Sequence, residues 1–245
     1  MEESGRIVVT SCFGTYWDYA ERWAQHIRFK CDLPVHIVSV DGTHLDDDFG
    51  EGVFVHPPQR ASTSARDGEL YRFEFIAEKL ASGISCAQID IDVLLKRGIA
   101  DLFGIEADLI VSRASRLPEF MAAAFGFVAC PGFFIAKPPA AALCREVADG
   151  VRDRRYGDDP DMEVIDQYVL NKMLFDEIVD GAMKPFTQGP SPAGAFAEPY
   201  LVSEYRGAKV AVLAEDTIFR GGHLGRSTYG IHSPAVLSLF GRDGA

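Results

Sequence analysis

Apolar positions along the first 112 residues switch repeatedly between the short period of strands and the longer period of helices. RIVVTSCF at 6–13 is rich in β-branched residues and predicts a first strand. TYWDYAERWAQHIRFKC follows, with Tyr16, Ala20, Trp23, Ala24 and Ile27 at helical spacing. VHIVSVDG at 35–42 and the proline-stopped VFVHPP at 53–58 predict two further strands. GELYRFEFIAEKLASG at 68–83 predicts a helix with Leu70, Phe73, Ile76, Ala77 and Leu80 as its apolar stripe and Gly83 at its end. CAQIDIDVLL, from residue 86, and ADLIVS at 107–112 complete this half as strands. Strands alternating with helices predict an α/β sheet with helical crossovers. Ligands in such sheets bind at the carboxyl ends of the strands, where VVTS, SVDG and IDID would all terminate.

The second half is less regular. FGFVACPGFFIAKP at 125–138 predicts a pair of core strands with a turn at Cys130-Pro131-Gly132. PPAAALCREVADGVRDR predicts a proline-opened helix. A second helix is predicted over 160–176, with Ile165, Val169 and Met173 on one side. TQGPSPAGAFAEP at 187–199 predicts a long loop of the kind that serves as a lid or substrate-binding element, and KVAVLA at 209–214 a late strand. No internal repeat or linker divides the chain.

Asp90 and Asp92 interrupt an otherwise apolar run. If that run is a strand, its period of two points both carboxylates the same way. Paired like charges in an apolar setting are costly unless a cation lies between them, and a divalent metal is the simplest cation. The alternative is a pair of strand-end carboxylates that cap a helix or bind an arginine.

Composition narrows the function classes. The 245 residues are 47% hydrophobic and 24% charged, as in a globular protein with a substantial core. A net charge of −12 without a dense basic run argues against binding DNA or RNA. The five cysteines, without a Cys-x-x-Cys, predict packed, reduced thiols in a cytoplasmic protein, not a disulfide framework or zinc site. No secretory signal is evident at the start. The longest apolar stretch, 120–136, is broken by Gly126, Pro131 and Gly132 and falls short of the roughly 20 residues of a membrane span.

Segment 68–98, with Tyr71-Arg72 on a helix and Gln-Ile-Asp-Ile-Asp-Val-Leu-Leu after it, resembles nucleotide-sugar-dependent glycosyltransferases of the A-type fold, whose metal-binding Asp-x-Asp follows a helix and an apolar strand. GFFIAKP at 132–138 resembles a Gly-Phe-Phe-Ile segment behind the acceptor site of that superfamily. Asp166-Gln167 and Asn171 match the Asp-Gln-x-x-x-Asn helix of its retaining branches, and His232 resembles the late histidine that completes the metal site. The likeness runs in outline over 6–235 and rests on about twenty positions; Cys130 stands where an asparagine is usual.

The resemblance implies a Rossmann-like mixed sheet flanked by helices. It implies one glycosyltransferase domain over 1–245, with a nucleotide-binding half at about 1–112 and an acceptor-binding half at about 113–245. It further implies a metal-dependent hexosyltransferase that carries a sugar from a nucleoside-diphosphate donor, UDP-sugars favoured, to a saccharide or glycolipid hydroxyl in glycan or cell-surface polysaccharide synthesis. The protein would be cytoplasmic or peripheral to the membrane. Asp90, Asp92 and His232 would hold Mn²⁺ or Mg²⁺, with His223 a rival for the third position. Thr10, Ser11, Arg72 and Asp90 would bind the nucleotide sugar, and Cys12 would close the same strand end.

Asp166 and Gln167 would lie at the anomeric carbon and acceptor. Each assignment has an alternative. Arg72 could pair with Glu69 or Glu74, Asp41 could bind the base or form a turn, and Asp166 could cap or pair on its helix. Arg226 could serve the phosphates, and Phe196, Tyr200 and Tyr205 could form an acceptor platform or pack on the core. Two other functions compete: a sugar-1-phosphate nucleotidylyltransferase, for which the Gly-rich basic loop is missing, and a non-catalytic nucleotide-binding module.

Overall fold

The computed structural model describes residues 5–114, 117–154, 165–189, 199–220 and 227–241. Its first half alternates as the pattern predicts: β1 (Arg6–Cys12), α1 (Trp17–Cys31), β2 (Val35–Ser39), β3 (Val53–His56), α2 (Ala65–Ala81) and β4 (Ser85–Ile89). After β5 (Val93–Leu95), β6 (Leu109–Ala114) and α3 (Glu119–Phe125) come β7 (Val128–Ala136), α4 (Ala141–Arg152), α5 (Ile165–Val179), β8 (Thr187–Gln188) and β9 (Tyr200–Tyr205). β10 (Ala208–Leu213), β11 (Ile218–Arg220), β12 (Gly230–His232) and α6 (Leu237–Phe240) complete the described elements.

Nine strands form one mixed sheet in the order β3-β2-β1-β4-β7-β6-β10-β9-β8. Strands β3, β2, β1 and β4 run parallel, and β7 runs antiparallel to both β4 and β6. The expected Rossmann-like mixed sheet flanked by helices is therefore present. Ile7 and Val9 of β1 enter one core with α2, α4 and α5, whereas Val8 and Cys12 enter a second with α1. With both faces covered, β1 can be apolar at consecutive positions. The second core also contains a small sheet, β11-β12-β5.

Three expectations of local structure change. The run from residue 86 to 95 is not one strand. β4 stops at Ile89, Asp90 N–H makes a last bond to the Gly132 carbonyl at 2.9 Å, and Val93 N–H closes a turn on the Asp90 carbonyl at 3.0 Å. β5 then leaves for the small sheet and pairs antiparallel with β12. The turn keeps both carboxylates at the sheet edge, where an uninterrupted buried strand would carry them into an apolar layer.

The expected turn at Cys130-Pro131-Gly132 is instead part of β7, which is continuous from Val128 to Ala136. Its pairing with β6 jumps from Phe134 opposite Val111 to Cys130 opposite Ser112, so that 131–133 bow out between them. In the expected 187–199 loop, Thr187–Gln188 pairs with β9, and 190–198, including Phe196, lie outside the described residues.

All five cysteines are free thiols and four are buried. Among the described residues, no helix is long and apolar enough to cross a membrane.

Candidate active site

The carboxyl ends of β1 and β4, the first half of β7, and the starts of α2 and α5 surround an open cleft of about 510 Å³. The antiparallel direction of β7 is what brings Cys130, Pro131 and Gly132 to the edge where β1 and β4 end.

At one wall, the turn after β4 supplies Asp90 and Asp92, and β12 supplies His232. His232 Nε2 lies 3.1 Å from Asp92 Oδ1 and 3.7 Å from Asp90 Oδ2. The Ser233 amide holds the Asp92 carbonyl at 3.0 Å, tying the two segments together. One ligand atom from each of the three side chains lies within 4.8 Å of the others. Two ligands of a single Mg²⁺ or Mn²⁺ are at most about 4.2 Å apart, twice an ion–oxygen distance of about 2.1 Å, so small side-chain rotations suffice.

The donor set, two carboxylate oxygens and an imidazole nitrogen, fits such a hard divalent cation. Gly132 is part of the same fit: a Cβ there would lie 2.2 Å from His232 Cε1 and 2.7 Å from Asp90 Oδ2. Only glycine lets the bowed segment of β7 approach this closely.

Charge at this wall is self-compensating. Burial pushes the His232 pKa down, but hydrogen bonds with Asp92 and Cys130 outweigh it and lift it to about 10. Burial works against Asp92 ionisation too, and the hydrogen bond to His232 outweighs it, leaving Asp92 below the usual carboxylate range. Asp90 moves the other way: its burial prevails over the attraction of Arg72 and His232, and Asp92 adds repulsion. The Cys130 thiol lies 4.0 Å from His232 Nδ1, on the ring side away from the carboxylates.

At the floor, α2 and α5 are joined by one guanidinium. Arg72 Nη1 donates to Asp90 Oδ1 at 2.5 Å, and Nη2 donates to Asp166 Oδ2. Gln88 Nε2 adds a second donor to the Asp90 carboxylate at 2.7 Å. Arg72 is only 7% exposed, so both contacts form in a largely desolvated setting, where charge-assisted bonds are strong and hard to replace. The guanidinium therefore pairs with Asp90 and Asp166, and neither Glu69 nor Glu74 is its hydrogen-bond partner.

Asp166 Oδ1 accepts the Gln167 amide at 2.6 Å, so this side chain both caps its own helix and pairs with Arg72. Gln167 Nε2 donates to the Leu117 carbonyl at 2.5 Å. One turn on, Asn171 bonds both the N–H and the carbonyl of Ala129, fixing α5 against β7.

The remaining expected residues separate clearly. Ser11 lines the cleft, whereas Thr10 and Cys12 are buried in the sheet and absent from its lining. Asp41 forms a turn: its carboxylate accepts from Gly14 N–H at 2.8 Å, Thr43 Oγ1 at 2.7 Å, Thr43 N–H at 3.1 Å and Trp17 Nε1 at 3.2 Å. Tyr200 and Tyr205 are buried, and Tyr205 Oη bonds Glu146, so both pack on the core. His223 and Arg226 lie outside the described residues.

Two charged cleft residues are not evident from the sequence. Glu69 presents itself there only as a partner for Arg72; in the fold its Oε2 accepts the Asp166 amide at 3.1 Å. Burial, then the Asp166 charge, raises its pKa well above the carboxylate range. Arg220 ends β11 beside His232 in the parallel register and lines the cleft. The position of Glu69 about one helical turn before Arg72 is a usable signal. For Arg220 there is none, because β11 is three residues long and its sheet includes β5, far away in sequence.

No protein-family model and no curated protein matches this chain. Among solved structures it is similar to the galactosyltransferase LgtC in complex with donor and acceptor sugar analogues, at 12% identity and a TM-score of 0.46, over 67% of this chain and 70% of that one. An active-site mutant of LgtC gives 12% identity and a TM-score of 0.47 over the same shares. At this identity and score the likeness assigns no activity, which has to be read from the cleft.

Proposed function

We propose that residues 1–245 form one glycosyltransferase unit that moves a sugar from a nucleoside-diphosphate donor, a UDP-sugar first among those to test, to the hydroxyl of a saccharide or glycolipid acceptor. The observation that carries this reading is the convergence of Asp90, Asp92 and His232 at the carboxyl edge of the sheet, in a cleft that also holds Arg72, Asp166 and Gln167. These three side chains are the ones that would hold Mn²⁺ or Mg²⁺. When bound, such an ion supplies Lewis-acid stabilisation of the departing diphosphate. Arg72 and Gln88 orient the Asp90 carboxylate from behind, as outer partners of a metal ligand do, and Cys130 faces the far nitrogen of His232.

We assign retention of anomeric configuration. Inversion needs a carboxylate able to deprotonate the acceptor. Among the described residues, every carboxylate lining the cleft is otherwise engaged. Asp90 and Asp92 belong to the metal wall, Asp166 is paired with Arg72, and Glu69, whose pKa is raised by burial and by the Asp166 charge, accepts the Asp166 amide. Asp166 and Gln167, both lining the cleft, are the polar groups assigned to the side of the sugar and its acceptor.

The test is hydrolysis and transfer from a panel of UDP- and GDP-sugars with Mn²⁺, with Mg²⁺ and with chelator, together with NMR assignment of the product anomer. Metal-dependent turnover with retention is the expected result. If no donor binds or turns over, and Asp92→Asn changes nothing, the reading fails.

A further inference from the structure

Three cations line the cleft among the described residues: Arg72, His232 and Arg220. Two are already committed. Arg72 is buried with one guanidinium nitrogen on Asp90 and another on Asp166. Releasing it toward a ligand would strand the buried Asp166 and the half-buried Asp90 without their counter-ion, which is strongly unfavourable. His232 faces the two carboxylates of the metal wall.

Arg220 is different. It is exposed at the cleft wall and makes no hydrogen bond or ion pair among the described residues. Its backbone pairs with His232 across the β11–β12 ladder. Neighbouring strands are about 4.8 Å apart, so the guanidinium originates next to the metal wall. Its positive charge reaches that wall, because it helps lower the pKa values of Asp92 and Cys130.

Charge balance then identifies a ligand. A divalent cation on Asp90 and Asp92 leaves that wall neutral. A departing nucleoside diphosphate carries two to three negative charges, which a neutral wall cannot offset. A second cation is required on the same side, able to fork onto phosphate oxygens, and arginine geometry suits that contact. We propose that Arg220, and not the buried Arg72, is the side chain that grips the diphosphate of the donor. The inference rests on the glycosyltransferase reading, which supplies the diphosphate.

Isothermal titration of UDP, uridine and Mn²⁺ onto wild type, Arg220→Gln and Arg220→Lys tests it. UDP binding in saturating Mn²⁺ should weaken by about 10- to 100-fold in Arg220→Gln, the range of one charge-assisted hydrogen-bonding group. Uridine binding should stay within about twofold of wild type, Arg220→Lys should recover part of the loss, and the salt dependence of UDP binding should flatten. Mn²⁺ binding without nucleotide should be unchanged or tighter, because a cation near Asp92 has been removed.

UDP binding by Arg220→Gln within about twofold of wild type would overturn the proposal while leaving the glycosyltransferase reading intact. Collapse of Mn²⁺ binding alone would also overturn it, since Arg220 would then act through the metal wall. If wild type binds neither UDP nor GDP with Mn²⁺, the reading and the inference fall together.

Discussion

Asp41 and Asp90 occupy equivalent places in the sheet and behave in opposite ways. Each follows a parallel strand that flanks β1, β2 in one case and β4 in the other, and each lies at the same carboxyl edge. Asp41 is surrounded by hydrogen-bond donors. Burial alone would raise its pKa, but bonds from Thr43, Gly14 and Trp17 prevail and bring it down to about 2. Asp90 shares Arg72 with Asp166 and His232 with Asp92; burial prevails over the attraction of these two cations, the neighbouring carboxylates add repulsion, and its pKa moves up. A carboxylate whose neighbours are donors holds a turn together. One that is buried against other carboxylates keeps an upward-shifted pKa even with Arg72 and Gln88 donating to it, an arrangement that an incoming cation relieves and that is common at functional sites.

Four substitutions break or sharpen this contrast, in decreasing order of expected effect. Asp92→Asn removes a metal-wall charge and should lower metal-dependent donor turnover by about 10³-fold, read by steady-state assay. Arg72→Met leaves Asp90 and Asp166 without their buried counter-ion. Chemical denaturation should show a loss of roughly 3–5 kcal/mol, and a stable variant would mean that the shared guanidinium contributes little. In Gly132→Ala the new methyl group collides with His232 and Asp90. Mn²⁺ affinity should fall about 10- to 100-fold, the usual scale for disturbing the partners that orient a metal ligand, while the fold persists.

Asp41→Asn should cost about 1 kcal/mol at neutral pH, a value discounted for the partial exposure of this side chain. The sign is that of a depressed carboxylate: its contribution is complete above the unfolded pKa of about 3.9 and vanishes as pH falls through the folded value of about 2. Denaturation midpoints of the two proteins should therefore converge in acid. A stability difference that persists at low pH would show that Asp41 acts through packing.

The legible parts of the molecule are those governed by local periodicity. Leu70, Phe73, Ile76, Ala77 and Leu80 form the buried stripe of α2, and β1, β2, β3, β6 and β10 lie where β-branched runs predict strands. The cluster of Asp90, Asp92 and His232 is also legible as a set of residues. Strand alternation is the wrong reason for joining the first two: they share a direction because a turn presents both to the cleft. Nor does the Cys130-Pro131-Gly132 triplet make a turn. The neighbours β4 and β6 supply ladder partners on both sides, and these hold proline and glycine within one bowed strand.

By itself the sequence determined the long helices and most strands of the sheet, which of their faces are apolar, and that two acidic residues sit where apolar surroundings make them costly. Periodicity and local chemistry suffice for these, because each depends on residues within a turn or two of one another. The tertiary structure alone decided who neutralises whom. Arg72 pairs with Asp90 and Asp166 only because α2 and α5 pack together and close both carboxylates around it. Arg220 carried no signal until β11 paired beside β12 and placed a cation next to His232. Charges interact through distance and burial, and both are set by long-range strand pairing that local sequence does not encode.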